Sequence, residues 1–238
     1  MRIIGGALRG RQIILPTGFK ARPTTDFARE GLFNVLTNSI DLESISVLDL
    51  FSGTGCISYE FLSRGCKDIT SVEMDSANAR FIKTTSGKLA QTFSKSTTGA
   101  QPVTEPGAIR NSESGAVRNS ESGAIHTSES LPVIKSVHHN VFDFLKICNK
   151  NFDIIFADPP YDMDGFQLIP NKIFDAQLFK DKDSILIFEH PSKFSFESHP
   201  AFIKEKKYGN VHFSFFSAKN IYLQNEDNKK AGMAQDKD

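Results

Sequence analysis

Short apolar runs alternate with stretches of helical period along most of this chain. Val47, Leu48 and Leu50 form a run interrupted by Asp49, which suits a strand covered on both faces. Gly53 and Gly55 follow, and then Cys56 to Gly65 predicts a helix in which Ile57, Phe61 and Leu62 share a face, Arg64 sits in the last turn and Gly65 terminates. Upstream, Ala28, Gly31, Leu32, Val35 and Leu36 fall at i, i+3, i+4, i+7 and i+8. That spacing predicts a helix from near Asp26 with one buried stripe, leaving Arg22, Thr24, Asp26, Arg29 and Glu30 polar around its start. Downstream come a second strand, Asp68 to Val72, closed by Glu73, and a helix capped by Ser76. A third strand covers Pro132 to His139, with Asn140 leading into a helix over Val141 to Lys146, and a fourth covers Asp153 to Ala157. An irregular helical crossover from Phe166 to Phe179 precedes a fifth strand, Ser184 to Glu189. Ile203 to Tyr208 and Val211 to Ser217 close the chain as a strand pair, turned at Gly209-Asn210. The alternation predicts an α/β domain with a mostly parallel sheet and an antiparallel C-terminal pair.

Three stretches depart from this pattern. Arg2-Ile3-Ile4 and Gln12 to Leu15 are β-prone pieces separated by glycines, giving a small N-terminal β extension over residues 1–25. Residues 94–131 are rich in Ser, Thr, Gly, Glu and Asn and carry an octad, Gly107 to Ser114, that recurs over Gly115 to Ser122 and Gly123 to Ser130. One β-branched aliphatic per octad is too little apolar area to offset an ordering entropy of roughly 1 to 2 kcal/mol per residue, so a disordered insertion is expected. Residues 224–238 are polar and aperiodic and read as a frayed tail, leaving 26–93 and 132–223 as the main domain.

The 238 residues are 39% hydrophobic, enough for a core, and no apolar run approaches the roughly 20 residues that cross a bilayer, so a cytoplasmic protein without membrane contact, acting as a monomer, is expected. The three cysteines, Cys56, Cys66 and Cys148, show no C-x-x-C spacing and read as reduced thiols, and adjacent His138 and His139 point to opposite strand faces, so no metal site is expected. Net charge is zero, yet residues 1–25 carry Arg2, Arg9, Arg11, Lys20 and Arg22 and no acid. A basic arm on a neutral body points to a nucleic-acid partner.

Strand, glycine loop and helix together are the generic start of a nucleotide site. A dinucleotide oxidoreductase would continue G-x-G-x-x-G, but Ser58 stands at the third glycine, and with Asp49 before the loop this favours S-adenosylmethionine, which has no pyrophosphate to cradle. Glu73, about 20 residues past the loop, ends the second strand, where one carboxylate can hold both hydroxyls of a ribose. Asn140 ends the third strand, where an amide can meet an adenine edge. The fourth strand delivers Asp158-Pro159-Pro160-Tyr161. Two prolines remove amide donors and leave carbonyls, one carboxylate and one ring, the parts needed to accept from an exocyclic amino group and stack its base.

With V-L-D-L-F-S-G-T-G, an acid ending strand two and D-P-P-Y ending strand four, the chain resembles Rossmann-like class I adenosylmethionine-dependent methyltransferases that act on amino nitrogens. Met1-Arg-Ile-Ile-Gly-Gly, Arg9-Gly10, Arg22-Pro-Thr-Thr-Asp26, Arg29-Glu-Gly-Leu-Phe-Asn34 and Tyr208-Gly-Asn210 narrow the likeness to the RsmD family, which methylates N2 of a guanine in 16S ribosomal RNA. That resemblance implies that Asp49, Phe51, Gly53 and Gly55 surround the methionine part of the cofactor, Glu73 the ribose and Asn140 the adenine. It implies that Asp158, Pro159, Pro160 and Tyr161 handle the target base, while the charge of the basic arm leads to the expectation that Arg2, Arg9, Arg11 and Arg22 meet RNA. Asn140 stands where the family usually carries Asp, and the octads are foreign to its pattern. Two other readings share these features: an adenine-N6 methylase, which uses D-P-P-Y as well, and a noncatalytic RNA-binding or assembly protein of the same fold.

Overall fold

The computed structural model describes residues 1–19, 23–97 and 133–219, so Arg22, the octads and the tail lie outside the described residues. Seven strands form one sheet in the order β3-β2-β1-β4-β5-β7-β6. These are β1 (Ser46–Leu50), β2 (Asp68–Glu73), β3 (Val133–His138), β4 (Ile154–Ala157), β5 (Ile185–His190), β6 (Phe202–Tyr208) and β7 (Val211–Ser217). The first five run parallel, and β7 pairs antiparallel with both β5 and β6.

All five residues of β1 are buried, because helices cover both faces of the sheet. Alternate strand residues therefore enter two cores. Val47, Ile69, Ile154 and Phe156 pack with Leu32, Phe33, Leu36, Ile57 and Phe61 of α1 (Asp26–Thr37) and α2 (Cys56–Ser63), and with Ile82 of α3 (Ser76–Thr97). Leu48, Leu50, Ile155 and Ala157 pack instead with Val141, Phe144 and Leu145 of α4 (Val141–Ile147) and with Ile169 and Ile173 of α5 (Ile169–Asp175). A 3-10 turn over Phe166–Leu168 precedes α5, which accounts for the irregularity expected there.

Three local readings change. The buried face of α1 is rotated: Ala28, Leu32 and Leu36 are buried as expected, but Arg29 and Phe33 join them while Gly31 and Val35 stay half-exposed. Arg29 can enter because its guanidinium is fully engaged. It pairs with the buried Glu60 at 3.0 Å and with Asp26 at 2.5 Å, and donates to the carbonyls of Thr24 and Arg2. Second, Asp75 rather than Ser76 caps α3, its carboxylate accepting from the amides of Ala77 and Asn78. Third, β5 extends through His190, which is buried and bonded through Nε2 to the Ser214 hydroxyl at 2.8 Å.

The N-terminal extension is a hairpin joined by an antiparallel bridge between Arg2 and Gln12. Ile3, Leu8 and Ile13 anchor it in the first core, and Glu60 accepts from the Ile4 amide at 2.7 Å. Cys56 and Cys66 are buried, Cys148 half-buried, and all three are free thiols. No helix among the described residues is long and apolar enough to cross a membrane.

Candidate active site

The parallel strands β1, β2, β4 and β5 all end at one edge of the sheet, where the strand order reverses direction beside β1. In open α/β sheets that edge is where ligands are held. After Leu50 the chain turns sharply: Phe51 (φ 59°), Gly53 (φ 51°) and Gly55 (φ 77°) all adopt left-handed backbone, and Gly55 is the residue preceding α2. A Cβ at Gly55 would lie 2.9 Å from Ile82 and from the Tyr59 ring, so only glycine permits this loop to lie so close to the helices.

Asp49 lies beneath the loop with 1% of its surface exposed. Its carboxylate accepts from the Ser58 hydroxyl at 2.5 Å, and Ser58 is equally close to the Ser71 hydroxyl. The residue at the third-glycine position is thus a hydroxyl linking β1 to β2 through the acid. Burial pushes the Asp49 carboxyl up to about 7; the Ser58 and Ser52 hydrogen bonds oppose this and the nearby Glu73 charge adds to it. Glu73, half-exposed at the end of β2, accepts from the Gly53 amide at 2.7 Å through one oxygen and from the Asp75 amide at 2.8 Å through the other. That fixes the carboxylate against the loop with lone pairs left over for a ligand's hydroxyls.

Asn140 lies at the end of β3, next to this acid. Its Oδ1 caps α4, accepting from Phe142 and Asp143, and its Nδ2 faces the Met74 sulfur at 3.7 Å. The amide nitrogen is therefore the group free to meet a ligand, bordered by the exposed Met74 and by Phe142, whose ring meets Phe51 edge-on with centroids 6.0 Å apart. His138 and His139 bond separately to the carbonyls of Met74 and Asn140. Among the described residues no group of three or more His, Cys, Asp or Glu side chains is placed to hold a metal.

On the other side of β1, β4 delivers Asp158, Pro159, Pro160 and Tyr161. Asp158 keeps a narrow opening to solvent yet is hemmed in by protein; burial, then the charges of Glu189 and Asp49, hold its carboxyl well above the ordinary range. Tyr161 is partly exposed, its ring edge-on to Phe166 and its hydroxyl donating to Glu189 Oε1 at 2.9 Å. Glu189, at 3% exposure, receives the Thr24 hydroxyl on its other oxygen at 2.9 Å. Burial pushes Glu189 up to about 7 against those two hydrogen bonds, and the same surroundings raise the Tyr161 phenol. Glu189 is the site residue that sequence reasoning missed: an acid ending an apolar strand, as Glu73 does, was the available signal. Thr24 belongs to the Arg22-Pro-Thr-Thr stretch, so one carboxylate joins the N-terminal arm to the D-P-P-Y tip.

Of the arm's arginines, Arg2, Arg9 and Arg11 are exposed, and Arg2 is paired with Asp26 at 2.9 Å. The edge thus holds a glycine loop with two acids on one side of the reversal, and two further acids with a braced aromatic ring on the other. Four acids gathered at one sheet edge favour positive charge beside them.

Residues 1–105 and 114–217 match the family described as conserved hypothetical protein 95. The chain is 23% identical over 228 residues to the uncharacterized methylase RP545 of Rickettsia prowazekii, covering 88% of this chain and 94% of that one. It is 28% identical over 198 residues to the ribosomal RNA small subunit methyltransferase D of Haemophilus influenzae, covering 78% and 82%. Among solved structures, yhhF of Escherichia coli superimposes with a TM-score of 0.60 at 24% identity, over 91% of this chain and 97% of that one.

Proposed function

Because the chain belongs to the conserved hypothetical protein 95 family, that of the RsmD methyltransferases, we propose that it methylates the exocyclic N2 of a guanine in 16S ribosomal RNA, with S-adenosylmethionine as the methyl donor. The observation that carries this reading is the pairing at one sheet edge of a glycine loop held by Glu73, over the buried Asp49, with an acceptor-lined tip, Asp158 to Tyr161, bound to Glu189.

The residues present fit the cofactor. Gly55 has no room for a Cβ, Phe51 and Gly53 complete the turn, and Asp49 lies beneath them, as a loop closed around a methionine chain requires. Glu73 has lone pairs for ribose hydroxyls, and Asn140 Nδ2, with Phe142 and Met74 beside it, suits an adenine edge and face. S-adenosylmethionine supplies an electrophilic methyl group on a cationic sulfonium, the charge that the surrounding carboxylates favour.

The remaining work falls to this chain's own groups. A guanine N2 lone pair is delocalised into the ring. Asp158 and the Pro159 carbonyl, accepting from its two N–H bonds, orient the nitrogen, and the raised proton affinity of Asp158 fits it to take the proton released. Tyr161, braced by Glu189 and Phe166, stacks the base. Holding two reactants in line accounts for most of the rate, since effective molarities reach on the order of 10⁵ M or more. Arg9 and Arg11, with Arg2 and Arg22, bind phosphates, and a paired target base leaves its stack first.

The test is to incubate the protein with labelled cofactor and small-subunit RNA, free and protein-bound, and to digest the RNA to nucleosides. Label in N2-methylguanosine supports the reading. Label in N6-methyladenosine would replace it with the adenine-methylase reading, and absence of cofactor binding with the noncatalytic one. Asp158→Ala is expected to abolish transfer while leaving cofactor affinity within about twofold; near-normal turnover would remove Asp158 from the mechanism.

A further inference from the structure

The aromatic pair on α1 and β6 lies outside the site described above. Phe27 is 66% exposed, and its ring meets Tyr208 edge-on with centroids 5.7 Å apart. The Tyr208 ring rests directly on the α1 backbone: a Cβ at Gly31 would fall 2.0 Å from it. Together these residues border an open groove of about 390 Å³, continued along α1 by the amides of Asn34 and Asn38, with Glu30 among its lining residues.

The strand directions bring this groove to the substrate edge. Because β7 is antiparallel to both its neighbours, β6 runs the same way as β5, and His190 and Lys207 are both paired with His212. Tyr208 therefore ends β6 at the same edge where His190, the residue after Glu189, ends β5, two strands away, or about 10 Å. The first turn of α1 spans that gap, since Thr24, bonded to Glu189, lies just before Phe27. Charge completes the picture. Lys204 and Lys206 alternate with Tyr208 on one face of β6, both are exposed, and among the described residues neither is in an ion pair. Lys207, on the opposite face, is 3.4 Å from Glu205.

We propose that Phe27 and Tyr208, flanked by Lys204 and Lys206, form a second contact for RNA that stacks an unpaired nucleotide neighbouring the one methylated. This rests on the proposed function, which brings an RNA strand to this edge. An exposed ring beside amides and two ammonium groups without an acidic partner among the described residues, that of Lys204 lying over the Phe215 ring, offers a base a face, an edge and a neutralised phosphate, the combination used for single-stranded RNA. An apolar peptide would use the rings and leave the lysines and amides without a role.

The test uses the full chain with saturating cofactor and small-subunit RNA. Phe27→Ala removes an exposed ring and leaves the core intact. It is expected to raise KM for RNA about 5- to 100-fold, the loss of one base stack, with the effect falling on KM rather than kcat and none on cofactor affinity in calorimetry. Phe27→Trp is expected to restore binding. The double variant Lys204→Gln, Lys206→Gln is expected to lower the slope of log affinity against log salt by about 1 to 1.5. Wild-type KM in Phe27→Ala would overturn the proposal, as would an effect confined to binding of a ribosomal protein. If the wild-type protein binds small-subunit RNA but transfers no methyl to it, the proposed function fails while the groove is still judged by RNA affinity alone.

Discussion

Three acids at the site, Asp49, Asp158 and Glu189, hold protons more tightly than ordinary carboxyls because protein has replaced their water. For Asp49 and Glu189 the rise is from 3.8 and 4.5 to about 7. Between those values the folded protein keeps protons that the unfolded chain has released. Their contribution to stability is complete below about pH 4 and is lost as pH climbs through about 7. His190 and His199, whose protons are held less tightly because of burial, add a stability that grows over the same range, so the expected signature is a difference: Tm of the cofactor-free protein minus that of Asp49→Asn should fall between about pH 5 and pH 8. Cofactor binding should oppose it, since a sulfonium among these carboxylates favours their charged forms. A difference that stays flat or rises over that interval would contradict the account. For Glu189 the position at the end of an apolar strand was legible, but nothing in Ser184-Ile-Leu-Ile-Phe-Glu189 distinguishes a buried acid with two hydroxyl donors from an acid that ends a strand in solvent. Its donors, Thr24 and Tyr161, are distant in sequence.

The loop between β1 and α2 stores conformations that side chains resist. Gly55→Ala would combine a φ of 77° with a Cβ 2.9 Å from Ile82, so a loss of about 1 to 3 kcal/mol is expected in denaturant unfolding, together with weakened cofactor affinity. This element was legible in detail, because a buried strand, glycines and an amphipathic helix each leave a periodic mark. The third-glycine position was legible only as a departure. That the Ser58 hydroxyl fills the gap between Asp49 and Ser71 depends on the register of β1 against β2, in which Asp49 pairs with Ser71. The rotation of α1 was illegible for a related reason. Arg29 is buried by four partners drawn from the hairpin, the chain before α1, α1 itself and α2, and a helical period scores it as polar.

Across the whole molecule, that arginine and Glu60 join the hairpin to the domain. Arg29→Met leaves the Glu60 carboxylate buried with one guanidinium fewer; a loss of roughly 3 to 5 kcal/mol is expected, measurable as a shift in the urea midpoint. Arg9→Glu with Arg11→Glu, on exposed residues away from that network, should leave the midpoint within about 0.5 kcal/mol while reducing RNA affinity and its salt slope. The same long-range ties set an order of events during synthesis. The arm leaves the ribosome first, yet Glu60 follows Ile4 by 56 residues and Glu189 follows Thr24 by 165. At roughly 5 to 20 residues per second, Thr24 waits on the order of 10 to 30 s for its carboxylate. A nascent chain thus carries its exposed arginines well before the Tyr161 hydroxyl has its carboxylate acceptor. The D-P-P-Y tip is tied to the arm only when the fifth strand has been made, so this edge of the sheet is completed late in synthesis.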